Sequence, residues 1–254
     1  MIHDGGRVKY LFMNEPAIST NDLPAQDIRL KQIQRGMLRT LPVLMGYVPV
    51  GFAYGVLANK AGLPVFHTLL MSLIVYAGSA QLIAVTLFSS GIAPLSIIAT
   101  TFIVNLRHFL FSAALAPHLT GWRKRELAGF AFELTDETFA LHSTRFAEGP
   151  VTKTEIFASN ITAQVTWVIS TILGMTAGNL IGDVKPFGLD YALPAMFIAL
   201  LVMQVKDRLH ALAALAAGVF SVLLLMAGVT QWNVILATLV AATLGLMVEQ
   251  WTKK

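Results

Sequence analysis

Val75-Tyr76-Ala77-Gly78-Ser79-Ala80-Gln81-Leu82-Ile83-Ala84 lies inside an apolar run from about Leu69 to Phe88. As a helix, that run is long enough to cross the ~30 Å hydrocarbon core of a bilayer. A plain spanning helix has no use for Gly-Ser-Ala-Gln at its middle. Glycine lowers helix propensity, and a glutamine amide must find a hydrogen-bond partner away from water. Small residues with one amide at mid-depth mark a place where a helix meets another closely, or where it breaks and lines a polar cavity. The sequence leaves both readings open. In the first, Gln81 bonds across a close contact. In the second, Gly78, Ser79 and Gln81 bind substrate, helped by backbone groups that the interruption frees.

Composition extends this reading to the whole chain. Its 254 residues are 56% hydrophobic and 13% charged, with a mean hydropathy of +0.67, whereas a soluble domain carries about 25% charged residues. Apolar runs of spanning length recur from residue 41 to residue 248. The expected fold is all-α: a polytopic membrane protein with about seven to eight transmembrane helices, some interrupted mid-membrane. One transmembrane domain, 41–254, follows a polar tail, 1–40. Residues 1–25 lack the apolar core of a secretory signal. Arg29, Lys31, Arg35 and Arg39 alternate with Ile28, Ile33 and Met37, which fits either a basic helix on the membrane surface or the cytoplasmic flank of the first span. The chain has no cysteine, which excludes disulfides, thiol chemistry and Cys-ligated metal. No His or acid pair has the spacing of a helical zinc motif, and no Walker A lysine pattern is present. No cofactor and no metal are indicated. The net charge of +4 reads as a cytoplasmic-loop excess and implies no nucleic-acid partner.

In chain order, the first span, about Leu41–Leu57, contains Pro42, Gly46, Pro49, Gly51 and Gly55, a density that predicts a kinked or broken helix. The second, about His67–Phe88, holds the opening stretch. The third, about Ala93–Pro117, contains Asn105-Leu106-Arg107-His108. A short apolar stretch, about Glu126–His142, carries Glu133, Asp136 and Glu137, and its crossing is undecided. Further spans are expected at about Ile156–Ile181, Tyr191–Val205, Leu209–Ala227 and Val234–Val248. The positive-inside rule does not settle the topology. With eight spans and an inside N-terminus, Arg29, Lys31, Arg35, Arg39, Arg145, Lys153, Lys206, Arg208, Lys253 and Lys254 lie inside, against Lys60, Arg123, Lys124, Arg125 and Lys185 outside. Seven spans with an outside N-terminus score the same; the basic segment before the first span favours eight. A candidate internal repeat lays Ala77–Ala84 on Ala192–Ala199, with identities at the first, fourth, seventh and eighth positions. Helix-interrupting residues at matching places in two halves point to a transporter's midplane site.

The residues able to carry chemistry cluster in these stretches. Arg107, between Asn105 and His108, costs about 2.5 kcal/mol or more at mid-depth, so it should face a cavity or pair with an acid. It is a candidate to capture a carboxylate, and His108 to relay protons; a structural ion pair with Glu133, Asp136 or Glu137 is the other reading. Asp136 and Glu137 point to different faces of a helix, so one can pair with Arg107 while the other titrates and couples transport to protons. A surface location for 126–142 would instead leave both hydrated. Ser79 and His108 could in principle form a hydrolytic dyad, but Gly78-Ser79-Ala80 lacks the nucleophile elbow.

Taken together, Pro49–Gly55, Tyr76–Gln81, Asn105–His108, Thr135-Asp136-Glu137 and Ala192–Phe197 resemble the AzlC family, the large subunit of bacterial branched-chain amino-acid exporters. The likeness covers roughly residues 35–250. It implies a secondary transporter in the cytoplasmic membrane that exports valine, leucine, isoleucine and in some members methionine, together with a small AzlD-type membrane subunit. On this expectation Gly78, Ser79, Gln81, Asn105, Arg107 and Pro194 bind substrate, and Tyr54, Met196 and Phe197 line an apolar pocket. His108, Asp136 and Glu137 couple transport to the proton motive force. A channel or carrier for another small solute is the alternative.

Overall fold

A computed structural model describes residues 25–205 and 208–228, with isolated positions between 236 and 247. Residues 1–24 and most of the span expected at Val234–Val248 lie outside the described residues. The described elements are helical throughout: α1 (Ala25–Lys60), α2 (Val65–Leu70) continuing into a π-helical turn (Met71–Val75), α3 (Gly78–Ser89), α4 (Pro94–Asn105), α5 (Arg107–Leu115), α6 (Lys124–Phe132), α7 (Asp136–Ala147), α8 (Lys153–Gly178), α9 (Ala192–Gln204) and α10 (Arg208–Met226). α1, α4–α5 taken as one rod, α8 and α10 are each long and apolar enough to cross a membrane. The chain is an all-α, multi-pass membrane protein.

α1 is one unbroken helix of 36 residues despite Pro42 and Pro49, so residues 26–40 are its first turns and not a separate surface helix. The glycines expected to kink it do another job. α1 runs alongside α8 in the same direction, with Gly36 against Glu155 and Ala158, Gly51 against Trp167 and Ser170, and Gly55 against Thr171 and Gly174. Asn59 Nδ2 donates to Asn179 Oδ1 at 3.0 Å at the far end. A Cβ on Gly55 or Gly174 would run into the carbonyl oxygen of Thr171 or Phe52. Small residues let the two backbones approach, because in lipid close packing replaces the hydrophobic effect as the force between helices.

Parallel α1 and α8 constrain everything between them. α2 and α3 do not form one crossing helix. Gln81 Nε2 on α3 donates to Ser72 Oγ on the π-turn at 3.1 Å, and nine residues of continuous helix would put these groups about 13 Å apart. Leu63, after α1, and Phe88, at the end of α3, border the same recess. α2–α3 is therefore a re-entrant hairpin that starts and ends at the far end of α1. α4–α5 then crosses back.

α6–α7 is the second hairpin, inserted from the opposite side. At its start Lys153 pairs with Glu126, and at its end Arg145 Nε lies 2.6 Å from Glu155 Oε1. Both ends thus meet the beginning of α8. The stretch expected as a span at 67–88 and the undecided one at 126–142 both enter the membrane and return. Backbone at mid-depth is tolerated there because it is buried in protein.

The two hairpins follow one plan. α3 and α7 are each 12 residues long, and the interval from Gly78 to Asp136 equals that from Ser89 to Ala147. The rods Pro94–Leu119 and Lys153–Gly178 are both 26 residues long. A crossing helix followed by a hairpin thus occurs twice, in opposite orientations. α9, only 13 residues, is too short for a ~30 Å core. It starts where the opening stretch was matched, so Ala77–Ala84 and Ala192–Ala199 are both helix beginnings.

This arrangement breaks the charge tie. Among residues 25–191, Arg29, Lys31, Arg35, Arg39, Arg123, Lys124, Arg125, Arg145 and Lys153 gather at the end where α1 and α8 begin; Lys60, and Lys185 in the loop after α8, lie away from it. The positive-inside rule assigns that end to the cytoplasm. Arg123, Lys124 and Arg125 move to it from the outside position that eight spans would give them.

Candidate functional site

The tips of the two hairpins meet near Tyr47, about midway between the Gly36–Glu155 contact and the Asn59–Asn179 bond. At the first tip, Tyr76 adopts φ 40° and ψ 49°, a left-handed conformation that a bulky side chain rarely takes. Ala77 is extended and α3 begins at Gly78. Gly78 is required by space: a Cβ there would lie 2.7 Å from Trp167 Cη2 and 3.3 Å from Met196 Cε. Gln81 is fully buried; besides its bond to Ser72 it accepts from Trp167 Nε1 at 3.1 Å. The two structural features behind those readings, a close contact and a chain interruption, are both present. The helix breaks, and it also packs closely, with Gln81 clasping the hairpin to α8.

The second tip is built by threonines. α6 stops at Phe132, and Thr135 caps α7. Thr135 N donates to Thr138 Oγ1 at 2.7 Å and Thr138 N donates to Thr135 Oγ1 at 3.2 Å, a reciprocal cap that starts a helix inside the membrane. Asp136 and Glu137 fill its first turn, where carboxylates suit the positive end of the helix dipole.

Arg107 ties the tips together. It starts α5, after Leu106 interrupts the rod, and its Nη2 sits 2.8 Å from Asp136 Oδ2 while also donating to Ser79 Oγ. α5 and α7 run side by side from this pair: Phe111 stacks on Phe139 at 4.4 Å and His118 on Phe146 at 5.0 Å. Tyr47 provides a second link. Its hydroxyl lies 2.6 Å from Thr135 Oγ1 and donates to Glu137 Oε2 at 3.2 Å, while its ring packs edge-on to Tyr76 and Trp167.

Of the expected site residues, Gly78, Ser79, Arg107, Asp136, Glu137 and Met196 come together here. Gly78 and Met196, from the two matched stretches, are in reach of each other. Tyr54 is buried about two turns along α1 from Tyr47, stacked on Trp167 at 6.2 Å. Asn105 and His108 bracket Arg107; His108 Nδ1 lies 3.2 Å from the Asn105 carbonyl, and Ser79 is engaged by Arg107. His108 Nε2 and Asn105 Oδ1 are buried without a hydrogen-bond partner. Pro194 lies exposed in the first turn of α9, and the side chain of Phe197 lies outside the described residues. The sequence reading missed Tyr47, Tyr76, Thr135 and Trp167 as site residues. Aromatic residues in an apolar run carry no signal; Thr135 just before the acids Asp136 and Glu137 did, as a helix start.

The tips are shut. Tyr76, Ser79, Thr135 and Asp136 are all buried. Chemically they offer two half-helix N-termini and one guanidinium at mid-depth, a setting for an anionic group. Among the described residues no His, Asp or Glu cluster could hold a metal ion.

The chain matches the AzlC protein family over residues 42–181. It is 32% identical over 215 residues to an uncharacterized membrane protein of Archaeoglobus fulgidus, covering 81% of this chain and 90% of that one. It is 26% identical over 218 residues to the branched-chain amino acid transport protein AzlC of Bacillus subtilis, covering 84% and 85%. It is 28% identical over 218 residues to the inner membrane protein YgaZ of Escherichia coli, covering 83% and 86%. No solved structure matches it.

Proposed function

The chain belongs to the AzlC family, and from that premise we propose that it is the large subunit of a secondary exporter of branched-chain amino acids. Valine, leucine, isoleucine and methionine would leave the cell across the cytoplasmic membrane, driven by the proton motive force, with a small AzlD-type subunit as partner. The observation that carries this reading is Arg107, held at mid-depth between Ser79 of one hairpin and Asp136 of the other.

An amino-acid carboxylate would compete with Asp136 for the guanidinium, aided by the N-terminus of α3. Displaced Asp136 then becomes a proton acceptor, and Glu137 or His108 extends the path. Substrate and proton occupancy are linked at one side chain. Met196, Tyr54 and Phe197 would line the aliphatic pocket, and a thioether suits several side-chain shapes. Opening α2–α3 would expose the site to the outside, and opening α6–α7 to the cytoplasm. Opposed hairpins thereby support alternating access.

Labelled valine loaded into cells should leave faster when this chain and the small subunit are both present. Equal retention with and without them rejects export. Efflux indifferent to excess valine, leucine and isoleucine would favour a channel or carrier for another solute.

A further inference from the structure

Where two half-helices meet end to end, one end presents N–H groups and the other C=O groups. In this protein both hairpins bring such pairs to mid-depth. The limbs that begin at Gly78 and Asp136 point positive ends toward Arg107 and Ser79; the limbs that finish at Val75 and Phe132 bring negative ends to the same level. We propose that Glu133 and Glu137, with the Tyr76 hydroxyl, form the ammonium-binding pole of the central site, complementary to the carboxylate pole at Arg107. This rests on the amino-acid transport reading and names the residues that take the second charge of the zwitterion.

Three observations converge on this pole. Tyr76 is 2% exposed, and its hydroxyl is buried without a hydrogen-bond partner. Glu133 Oε2 is likewise buried and unpartnered. Tyr47 gathers these groups at the joined tips: its ring lies 6.3 Å from that of Tyr76, its hydroxyl meets Thr135 and Glu137, and the Glu133 carbonyl accepts from Thr138 in the same cap. Buried polar atoms are nearly always bonded, and orphans gathered at one point mark the place of a missing ligand. Arg107 is turned to Asp136, and neither Glu133 nor Glu137 has an ion-pair partner among the described residues.

The chemistry of the set selects the ligand. Two carboxylates and a phenol oxygen are acceptors, whereas the complement must donate and carry positive charge. A primary ammonium has three donors and no acceptor. The strained backbone of Tyr76 then has a purpose, since the left-handed turn carries its ring across the tip toward Tyr47, whose hydroxyl already holds Glu137.

The test titrates the purified full chain, alone and with the small subunit, with L-valine, with isobutylamine (no carboxylate) and with 3-methylbutanoate (no ammonium). Wild type should bind L-valine most tightly and isobutylamine detectably. Glu133→Gln and Tyr76→Phe should each weaken L-valine and isobutylamine by about tenfold, the scale of a charge-assisted bond. Binding of 3-methylbutanoate should stay within about twofold, because its partner is Arg107. Failure of wild type to bind isobutylamine overturns the pole and needs no variant. Unchanged L-valine affinity in Glu133→Gln also overturns it while leaving amino-acid transport intact. Glu133-dependent amine binding without L-valine binding keeps the pole and rejects the amino-acid reading.

Discussion

At the scale of single residues, Arg107 organises the site. A guanidinium at mid-depth is costly alone, and so is Asp136, so removing one partner strands the other. Arg107→Ala should therefore abolish efflux and lower the unfolding midpoint, by about 3–5 kcal/mol of stability if Asp136 stays charged. Arg107→Ala with Asp136→Asn should recover most of that stability while efflux stays absent. If the double variant is as unstable as the single one, the pair is not what holds the tips. Asp136→Asn and Glu137→Gln should flatten the pH dependence of transport; an unchanged profile in both would move the proton path elsewhere. Arg107 and Asp136 were legible in the sequence because charge in an apolar run is expensive and needs a reason. Tyr47 and Tyr76 were not, because nothing about a tyrosine in a span shows where its hydroxyl ends up.

At the scale of elements, the lesson is what glycine and proline do in a membrane. Their density in the first span pointed to a kinked or broken helix, yet α1 is not broken and its glycines seat α8. The break falls instead at Tyr76-Ala77, after a π-turn that contains no glycine. Gly55→Leu or Gly174→Leu should separate α1 from α8, at a cost of about 3 kcal/mol or more from overpacking against backbone. Gly46→Leu is the control: nothing lies within 4 Å of a Cβ there, so it should not destabilise, and better helix propensity should add at most about 1 kcal/mol. Equal effects at Gly46 and Gly55 would show that helix propensity, not packing, governs these sites. Close contact and chain interruption have the same sequence signature, small residues in an apolar run, and only the neighbouring helix distinguishes them.

At the scale of the whole molecule, the two opposed hairpins set the topology. Because the chain has no cysteine, single replacements report sidedness directly. Lys60→Cys and Ser90→Cys should both react with an impermeant thiol reagent from outside, whereas Thr120→Cys and Pro150→Cys should react only after permeabilisation. Lys60 and Ser90 on opposite sides would mean that α2–α3 crosses and the hairpin is wrong.

The sequence by itself determined the class, an all-α membrane protein, since runs of apolar residues have no other stable home. It also pinned the costly residues, Gln81, Arg107 and Asp136, and the likeness carried by their motifs. Only the tertiary structure decided that two apolar stretches turn back at mid-depth, and that their tips converge on Arg107 and Tyr47. Hydropathy measures how much of a stretch prefers lipid, not whether it leaves by the side it entered. That depends on which distant helix holds the hairpin in place, here α8, through Gln164 on the Leu73 carbonyl and Trp167 on Gln81 for one hairpin and through Asn160 on His142 for the other.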